Sequence, residues 1–330
     1  MKKRIALVTG GLSGESVISY KTAATIDKNL DRSLFDVYLV DISSEGWHHT
    51  TADGSKIPVD KNDFSISIGG ARLIFDAVFI GMHGTPGEDG KLQGYFDMLQ
   101  LPYTSCNAAV SALTFNKRYT TAVAASSGIP VARSVLLIKD RFGSPDEIAA
   151  TLQFPVFVKP NNGGSSIGMS KVDTPSDELG AAIEKAFRED DQVLVEEMIK
   201  GREFTVGVFR ADNRINVLPL TEVKAHADKA FFDFEAKYQG KSTETTPAEV
   251  DEQVADKIRE MAKKVYAVFN CGGVVRIDFI YNEEKGQPFM LEINTIPGQS
   301  EASIVPQQVR AMGWELKQFY TKLLMQALEQ

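Results

Sequence analysis

The sequence predicts an α/β fold, because strand-like and helix-like segments alternate along its first third and several strands end in glycine-rich turns. The stretch Arg4–Gly11, RIALVTGG, is an apolar run that ends in two glycines. It is followed by SVISYKTAATIDKNL, which has the apolar spacing of a helix, and then by the strand-like FDVYLVDI. Strand, helix and strand in this order predict a parallel sheet.

Three further segments extend this first unit. FDAVFIGMHG is strand-like and ends in a polar turn, KLQGYFDMLQ has helical spacing, and LPYTSC is short and extended. The glycine-rich segments GGLSGE and HGTPGEDG each follow a strand. They therefore stand where a parallel sheet binds its ligands, beyond the carboxyl ends of the strands.

The remaining two thirds of the chain also mix the two kinds of element. Six segments are strand-like: FPVFVKP, QVLVEEMI, REFTVGVFR, NVLPLTEV, GVVRIDFI and PFMLEIN. Helical spacing marks SALTFNKRYTTAVAASSG, SDELGAAIEKAFRE and DEQVADKIREMAKKVYAVFN. The stretch Ala225–Val250 has no clean periodicity. Long irregular stretches inside compact domains are usually lids or disordered segments, so this one is a candidate lid.

Length and composition limit the classes of protein that fit. A chain of 330 residues exceeds one ordinary core, so two or three domains are expected. Nothing resembles a signal peptide, and no apolar stretch is long enough to cross a membrane. The net charge of −8 argues against nucleic acid or an anionic membrane as a partner. Cys106 and Cys271 lack metal-ligand spacing and indicate reduced thiols in the cytoplasm.

Two strands near the C-terminus are the most informative segments. VVRIDFIY and PFMLEIN are joined by the polar turn NEEKGQ, which predicts a hairpin. If Tyr281 pairs with Phe289, Asp278 lies opposite Glu292. Side chains alternate between the two faces of a strand, and in this hairpin the alternation places apolar residues on one face and polar residues on the other. The apolar face holds Val275, Ile277, Phe279, Tyr281, Phe289, Leu291 and Ile293, and the polar face holds Arg276, Asp278, Glu292 and Asn294.

The facing carboxylates of this hairpin predict a metal site. Two carboxylates opposite each other repel and destabilise a sheet, and a divalent cation between them reverses the sign of that interaction. Carboxylate and amide oxygens suit Mg²⁺, which also shares its ligands with substrate phosphates. The alternative is an ordinary solvated polar face. Two polar pairs in register, on strands whose reverse faces are apolar, favour the metal site.

Two segments of the middle part have features of a nucleotide site. In KPNNGGSSIG, a glycine-serine loop with the hydroxyls of Ser165 and Ser166 follows Lys159, and its N–H groups can reach phosphate oxygens. This is not the Walker pattern, and a plain hairpin turn is the alternative. In VLVEEMIKGREF, the backbone between Glu197 and Ile199 can pair with a flat base. There Glu196 can meet an exocyclic amine and Glu203 a ribose, unless they are simply acidic residues at a strand end.

With these segments in order, the chain resembles the ATP-grasp superfamily and, within it, the D-alanine–D-alanine ligase family. The resemblance runs nearly end to end and is most specific in HGTPGEDGKLQG, FPVFVKPNNGGSSIGMSKV, EFTV, FFDFEAKY, RIDF and LEINTIPG followed by SIVPQ. It implies an N-terminal parallel-sheet α/β domain, residues 1–105, that binds substrate. Two ATP-grasp domains of α+β type, 106–195 and 196–330, would sandwich ATP, with the metal site and the lid of about 225–250 in the second.

The family's site residues carry over position by position. For the two D-alanine substrates they are Glu15, His83, Arg276, Gly298, Ser303 and Ile304. For ATP they are Lys117, Lys159, Ser165, Ser166, Glu196, Glu197, Met198, Ile199, Glu203, Phe231, Lys237 and Asn294. Two Mg²⁺ or Mn²⁺ ions would be held by Asp278, Glu292 and Asn294. Catalytic roles fall to Glu15, Ser165, Tyr238, Arg276, Gly298 and Ser303, and the first three of these would meet in one hydrogen-bonded set on closure.

The implied activity is the ATP-dependent joining of two D-alanines through an acyl phosphate, for peptidoglycan precursors, by a cytoplasmic homodimer. The chain departs from the family pattern after Glu15, which begins ESVIS, and at Asn116, Gln299 and Ile304. These departures bear on substrate preference. The alternatives are a related ligase with D-lactate or D-serine as second substrate and a nucleotide-binding regulator without catalysis. A regulator would be expected to lack one of the four polar hairpin residues, and all four are present.

Overall fold

The computed structural model describes residues 1–51, 53–141, 144–163, 167–175, 177–225 and 242–329. In these residues the strands form three sheets. The strands are β1 (Lys3–Gly10), β2 (Phe35–Ser43), β3 (Gly46–Thr50), β4 (Lys56–Asp60), β5 (Ser65–Ile68), β6 (Ala71–Leu73), β7 (Ala77–Ile80), β8 (Ser134–Ile138), β9 (Val156–Pro160), β10 (Ser170–Val172), β11 (Gln192–Glu197), β12 (Arg202–Ala211), β13 (Arg214–Val217), β14 (Thr221–Ala225), β15 (Ser242–Thr245), β16 (Val274–Asn282) and β17 (Gln287–Asn294). The helices are α1 (Ser16–Asn29), α2 (Lys91–Met98), α3 (Ala108–Phe115), α4 (Lys117–Ser126), α5 (Pro145–Thr151), α6 (Asp177–Ala186), α7 (Glu252–Val268), α8 (Ile304–Ala311) and α9 (Leu316–Leu328).

The N-terminal sheet has the strand order β6-β5-β4-β3-β2-β1-β7. Its β1 pairs in parallel with β2 and β7, as the alternation of strand and helix predicts. The strands from β3 to β6 add an antiparallel ribbon at one edge, which the sequence analysis did not identify. These strands are only three to five residues long, and polar residues interrupt their apolar alternation. The prediction of a parallel sheet is therefore confirmed for three of the seven strands.

The central sheet has the order β10-β9-β11-β8 and is antiparallel throughout. Val156 and Val158 of β9 and Val193 and Val195 of β11 pack with α5 and α6 in a core that belongs to this part of the chain alone. Because side chains alternate, Lys159 and its neighbours on the same strands point to the opposite face.

The C-terminal sheet has the order β15-β14-β12-β16-β17, with β13 also paired to β12. Its core includes α7 and residues of α3 and α4. A second core joins β1 and β7 of the N-terminal sheet to α9 and to Phe209 of β12. The N-terminal and C-terminal parts are thus continuous through shared apolar packing, whereas the central sheet has its own core. No helix among the described ranges has the length and apolarity needed to cross a bilayer.

The predicted hairpin of β16 and β17 forms, but with a different register at one end. Arg276 lies opposite Asn294 and Asp278 opposite Glu292, as expected. The register then shifts, so that Phe279 pairs with Met290 and Leu291 becomes the extra residue of a β-bulge. The expected pairing of Tyr281 with Phe289 is therefore wrong, since Tyr281 pairs with Pro288. The bulge reverses the alternation, so that Met290 enters the core while Leu291 is only partly buried.

The stretch Ala225–Val250, expected to be irregular, is ordered in its described part. Strand β15 pairs with β14, with Glu244 opposite Val223. The Ala248 N–H also donates to the Leu220 carbonyl at 2.8 Å. Residues 242–250 thus extend the sheet, and residues 226–241 lie outside the described residues.

Candidate active site

A cavity of about 360 Å³ lies where the three parts of the chain meet. Its walls come from the start of α1, the turn after β7, the start of α4, the polar face of the C-terminal sheet and the start of α8. Eleven residues that the sequence analysis assigned to the site line it: Glu15, His83, Lys117, Glu203, Arg276, Asp278, Glu292, Asn294, Gly298, Ser303 and Ile304.

Glu15 stands immediately before α1, where its carbonyl accepts the N–H groups of Ile18 and Ser19. Its carboxylate is close to Gly84, which has a positive φ of 66°. A Cβ at Gly84 would lie 2.6 Å from Glu15 Oε2 and would also collide with Ser13. Two features therefore require a glycine at position 84, namely the left-handed backbone conformation and the space taken by the Glu15 carboxylate.

His83 is buried and held from several sides. Its N–H donates to Ser19 Oγ at 2.9 Å, and its Nε2 lies 2.9 Å from Thr22 Oγ1. Thr22 Oγ1 also accepts the Gln299 N–H at 3.2 Å, so its own proton is available to His83 Nε2. In that arrangement Nδ1 carries the ring proton and faces Glu88 Oε1 at 3.4 Å. His83 thus fastens the turn after β7 to α1, and Thr22 in turn connects α1 to the loop that follows β17.

Lys117 is the first residue of α4, and its ammonium donates to the Gly163 carbonyl at 2.7 Å. Its N–H also donates to the Asn161 carbonyl at 3.1 Å. The helix start is capped by Asn116, whose side chain accepts the Tyr119 N–H at 3.0 Å. Asn116, where the chain departs from the family pattern, is therefore still a good N-cap residue. These contacts bring the lysine of the central helix to the beginning of the glycine-serine loop.

The polar face of the hairpin carries the strongest cluster of charges in the cavity. Arg276 donates from Nε and from a terminal nitrogen to the two oxygens of Asp278, at 2.9 and 2.8 Å. The terminal nitrogen also lies 3.3 Å from Glu292 Oε1. Thr205, on the neighbouring strand β12, donates its hydroxyl to Asp278. The guanidinium thus separates the two carboxylates that were predicted to repel each other, a solution that the sequence analysis did not consider.

The turn after β17 explains why polar residues interrupt an apolar strand. Asn294 Oδ1 accepts the Ile296 N–H at 3.0 Å, which turns the chain toward Pro297 and Gly298. A Cβ at Gly298 would lie 2.8 Å from Ser303 Oγ, so the absence of a side chain lets this backbone approach Ser303. The Ser303 hydroxyl does not cap α8 and instead lies 2.7 Å from Ser300 Oγ.

Two family models match the chain, one described as the D-ala D-ala ligase N-terminus over residues 4–106 and one as its C-terminus over residues 123–325. Together they cover most of its length. The chain belongs to the D-alanine–D-alanine ligase family.

Individual relatives agree with this membership. A D-alanine–D-alanine ligase from Phocaeicola vulgatus is 43% identical over 324 residues, covering 98% of this chain and 99% of the relative. Among solved structures, the VanG D-Ala:D-Ser ligase from Enterococcus faecalis has a TM-score of 0.88 at 32% identity, covering 99% of this chain and 100% of that one. The Bacillus anthracis D-alanine–D-alanine ligase complexed with ATP has a TM-score of 0.78 at 26% identity, covering 99% and 98%. The chain therefore has the ATP-grasp ligase fold that its motifs predict.

Several residues assigned to ATP do not line the cavity. Lys159 Nζ lies 2.9 Å from Glu196 Oε1 on the central sheet. The Glu197 carboxylate accepts the Gln153 N–H at 2.8 Å, and the Met198 N–H donates to the Pro155 carbonyl at 2.9 Å. These residues, with Ile199, follow the central sheet rather than the cavity wall.

Five assigned residues fall outside the described residues: Ser165, Ser166, Phe231, Lys237 and Tyr238. The hydrogen-bonded set of Glu15, Ser165 and Tyr238 therefore stays a prediction.

The cavity is also lined by residues that were not predicted from the sequence, among them Lys21, Glu88, Thr205 and Glu244. A signal existed for two of them. Thr205 is two residues after Glu203 on a strand, so both side chains share a face. Glu88 follows His83 within the same glycine-rich turn. For Lys21 and Glu244 the chain offers no local motif, because the cavity is formed by distant segments.

Proposed function

We propose that this chain is an ATP-dependent ligase that joins two D-alanines into a dipeptide through an acyl phosphate. The observation that carries the proposal is the convergence of Glu15, the Arg276–Asp278–Glu292 cluster and Ser303 on one cavity. The cavity has a carboxylate at one end, a cluster of charges in the middle and the start of a helix at the other end. This arrangement suits two amino-acid zwitterions bound one behind the other. The identity to D-alanine–D-alanine ligases over nearly the full chain supports the same reaction.

ATP is the proposed phosphoryl donor, and the proposed division into residues 1–105, 106–195 and 196–330 places it between the last two parts. The separate core of the central sheet supports this division, although α3 and α4 pack on the C-terminal sheet. Lys117 and Lys159, with Lys237, would neutralise the phosphates, since phosphoryl transfer depends on positioning and charge more than on covalent catalysis. Glu196 and Glu203 would contact adenine and ribose, with the backbone of Glu197 and Ile199.

The oxygens of Asp278, Glu292 and Asn294 fit divalent magnesium or manganese by their chemistry, since carboxylates and amides are hard ligands. The described part of the chain contains no group of three or more acidic, histidine or cysteine side chains suited to a metal. Two carboxylates and one amide would leave room in the ligand shell for water and phosphate oxygens, as Mg²⁺ prefers. Bound there, the ions would neutralise charge on the transferring phosphoryl group.

The remaining chemistry falls to the chain's own groups. Glu15 would hold the ammonium of the first D-alanine, whose carboxylate oxygen attacks the γ-phosphorus of ATP and releases ADP. The ammonium of the second D-alanine would lose one proton to solvent, and the resulting amine would attack the acyl carbon. The bond between that carbon and the phosphate oxygen then breaks, and phosphate leaves with the second proton from the nitrogen. Arg276 and the Gly298 N–H would stabilise the oxyanion of that tetrahedral centre. Ser303 and the Ile304 N–H would hold the second carboxylate, because the first N–H groups of a helix have no partners inside it.

One structural relative favours a second candidate, a ligase that uses D-serine as nucleophile, because it is a D-Ala:D-Ser ligase. Of the positions that depart from the family pattern, Ile304 lines the cavity beside Ser303 and is where such a preference would be set. The Gln299 side chain is buried away from the cavity, against Pro297 and Tyr320. A homodimer is also proposed from the family resemblance, and sedimentation of the purified protein would test it.

The deciding experiment measures phosphate release from ATP with D-alanine, L-alanine, D-alanine plus D-serine, and D-alanine plus D-lactate. We expect release that requires D-alanine and yields D-alanyl-D-alanine, with little release for L-alanine. Faster formation of a mixed product with D-serine would favour the second candidate. ATP binding without release under any of these conditions would instead indicate a non-catalytic regulator and refute the proposal.

A further inference from the structure

Glu244 is a carboxylate that faces the cavity from an unexpected strand. Glu203 on β12 lies opposite Val223 on β14, and Val223 lies opposite Glu244 on β15. Residues paired across a sheet share a face, so these three form one row. All three line the cavity. The polar face that begins with Arg276 and Asp278 on β16 therefore continues across three more strands, β12, β14 and β15, and ends at Glu244.

The surroundings of Glu244 leave its charge incompletely compensated. Burial raises the pKa of this carboxyl, although a hydrogen bond from Gln307 and the charge of Arg276 act in the opposite direction. The bond from Gln307 Nε2 is long, 3.4 Å. A partly desolvated carboxylate with weak donors gains most from a cation that enters the cavity.

The position of Glu244 identifies which part of the cavity that cation would occupy. Gln307 Nε2 donates to the Ala302 carbonyl at 2.8 Å as well as to Glu244. One nitrogen therefore holds Glu244 next to the residue that precedes Ser303. The first turn of α8 connects the same residues, since the Gln307 N–H donates to the Ser303 carbonyl at 3.3 Å. Glu244 thus lies at the Ser303 end of the cavity.

We propose that Glu244 binds the ammonium group of the second amino acid and so selects an amine over a hydroxyl nucleophile. The inference rests on the proposed function, in which Ser303 and the start of α8 take the carboxylate of that substrate. In an α-amino acid the ammonium and carboxylate are attached to one carbon, so their receptors must be close neighbours. Glu244 and Ser303 meet this requirement through Gln307. A 2-hydroxy acid has a neutral hydroxyl in place of the ammonium, so its binding would leave the Glu244 carboxylate without a cation and is disfavoured.

The test uses the full-length protein with Glu244→Gln, Glu244→Asp and, as the matched control, Glu301→Gln. Glu301 is also close to Ser303 in sequence, but it is exposed and pairs with Lys28 at 2.8 Å outside the cavity. Two reactions are compared at saturating ATP. One is dipeptide formation as a function of D-alanine concentration. The other is D-alanyl hydroxamate formation with hydroxylamine, which attacks the same acyl phosphate and is uncharged near neutral pH.

We expect Glu244→Gln to raise the D-alanine concentration for half-maximal dipeptide formation by about tenfold or more, a factor that one lost charged contact can supply. Hydroxamate formation should stay near the wild-type rate, which also shows that the variant is folded. Glu244→Asp should recover part of the loss, and Glu301→Gln should resemble the wild type. D-Lactate should compete better in Glu244→Gln than in the wild type.

Equal losses in the two reactions, or no change in either, would overturn the role of Glu244 while leaving the ligase intact. A wild-type protein that forms neither dipeptide nor hydroxamate would instead refute the ligase function and this inference with it.

Discussion

The central and C-terminal sheets have the same layered arrangement, but the side chains on their polar faces carry opposite net charge. Each packs one apolar face against helices and keeps polar residues on the other. On the polar face of the central sheet, Lys159 and Lys171 accompany the single carboxylate of Glu196. On that of the C-terminal sheet one guanidinium, Arg276, accompanies four carboxylates, Glu203, Glu244, Asp278 and Glu292.

This difference indicates how a site between the two sheets could bind both a polyphosphate and its counter-ions. Lysines attract phosphate oxygens directly, whereas carboxylates repel them unless a divalent cation lies between. A ligand held between a basic and an acidic sheet is therefore matched on one side by lysine and on the other by metal. The proposed ATP site has this character, and substitutions on either sheet can remove one side of the contrast.

The largest loss of activity is expected from Arg276→Lys, a substitution on the acidic C-terminal sheet. A lysine is a point charge and cannot make two parallel bonds to Asp278 while also reaching Glu292. It would also lose a donor to the oxyanion, and loss of one such donor lowers kcat by about 10²–10³. Single-turnover and steady-state measurements of D-alanine-dependent phosphate release would show a fall in kcat with little change in the KM for ATP.

Arg202→Lys is the matched control for that variant. Arg202 also lies on the C-terminal sheet and pairs with a carboxylate, Glu222, at 2.7 Å, but it does not line the cavity. Its replacement should leave kcat nearly unchanged. Similar losses in the two variants would mean that Arg276 acts through the stability of the sheet rather than on the reacting atoms.

A smaller effect is expected from Glu292→Gln. The Glu292 side chain is 40% exposed, so the substitution should leave the fold and the melting temperature unchanged. Loss of one charged oxygen should raise the Mg²⁺ concentration for half-maximal activity by about tenfold, which corresponds to about 1.4 kcal/mol. Titration of activity with Mg²⁺ measures this shift. Wild-type turnover at limiting Mg²⁺ would argue against a metal at this position.

Local pattern was sufficient for the hairpin that carries this cluster, but not for its details. Alternation along β16 and β17 predicted the facing pairs Asp278–Glu292 and Arg276–Asn294. It could not predict the bulge at Leu291, because a single extra residue depends on how the two strands bend together. Nor did it predict that Arg276 bridges the carboxylates. Asp278 on the same strand and Glu292 on the paired strand both compete for this guanidinium, and alternation does not decide between them.

Contacts between distant segments account for the other failures. The resemblance to the family identified Glu15, His83 and Ser303, because their positions match those of the family's site residues. Glu244 has no such context, and only the pairing of β15 with β14 brings it to the cavity. The same stretch looked irregular because polar and threonine-rich sequence hides a short edge strand. Sequence pattern therefore predicts elements and their ends better than it predicts which strand completes a sheet.

The smallest effect concerns the basic sheet and the pair that Lys159 forms with Glu196. Their side chains are 15% and 7% exposed, so the pair is largely removed from water. If Lys159 also binds phosphate, ATP must draw it away from Glu196 or share it. A double-mutant cycle of Lys159→Met and Glu196→Gln should therefore give a coupling of about 1 kcal/mol in unfolding without nucleotide. With saturating ATP the coupling should fall below about 0.5 kcal/mol, because phosphate replaces the carboxylate as partner. Denaturant unfolding with and without ATP measures both values.

Lys171→Met with Asp173→Asn is the control cycle, since that pair joins at 2.6 Å but its carboxylate is 69% exposed. Its coupling should be small in both conditions. A Lys159–Glu196 coupling that ATP leaves unchanged would show that this lysine keeps its carboxylate, and the basic sheet would then contribute less to the nucleotide than its charge suggests.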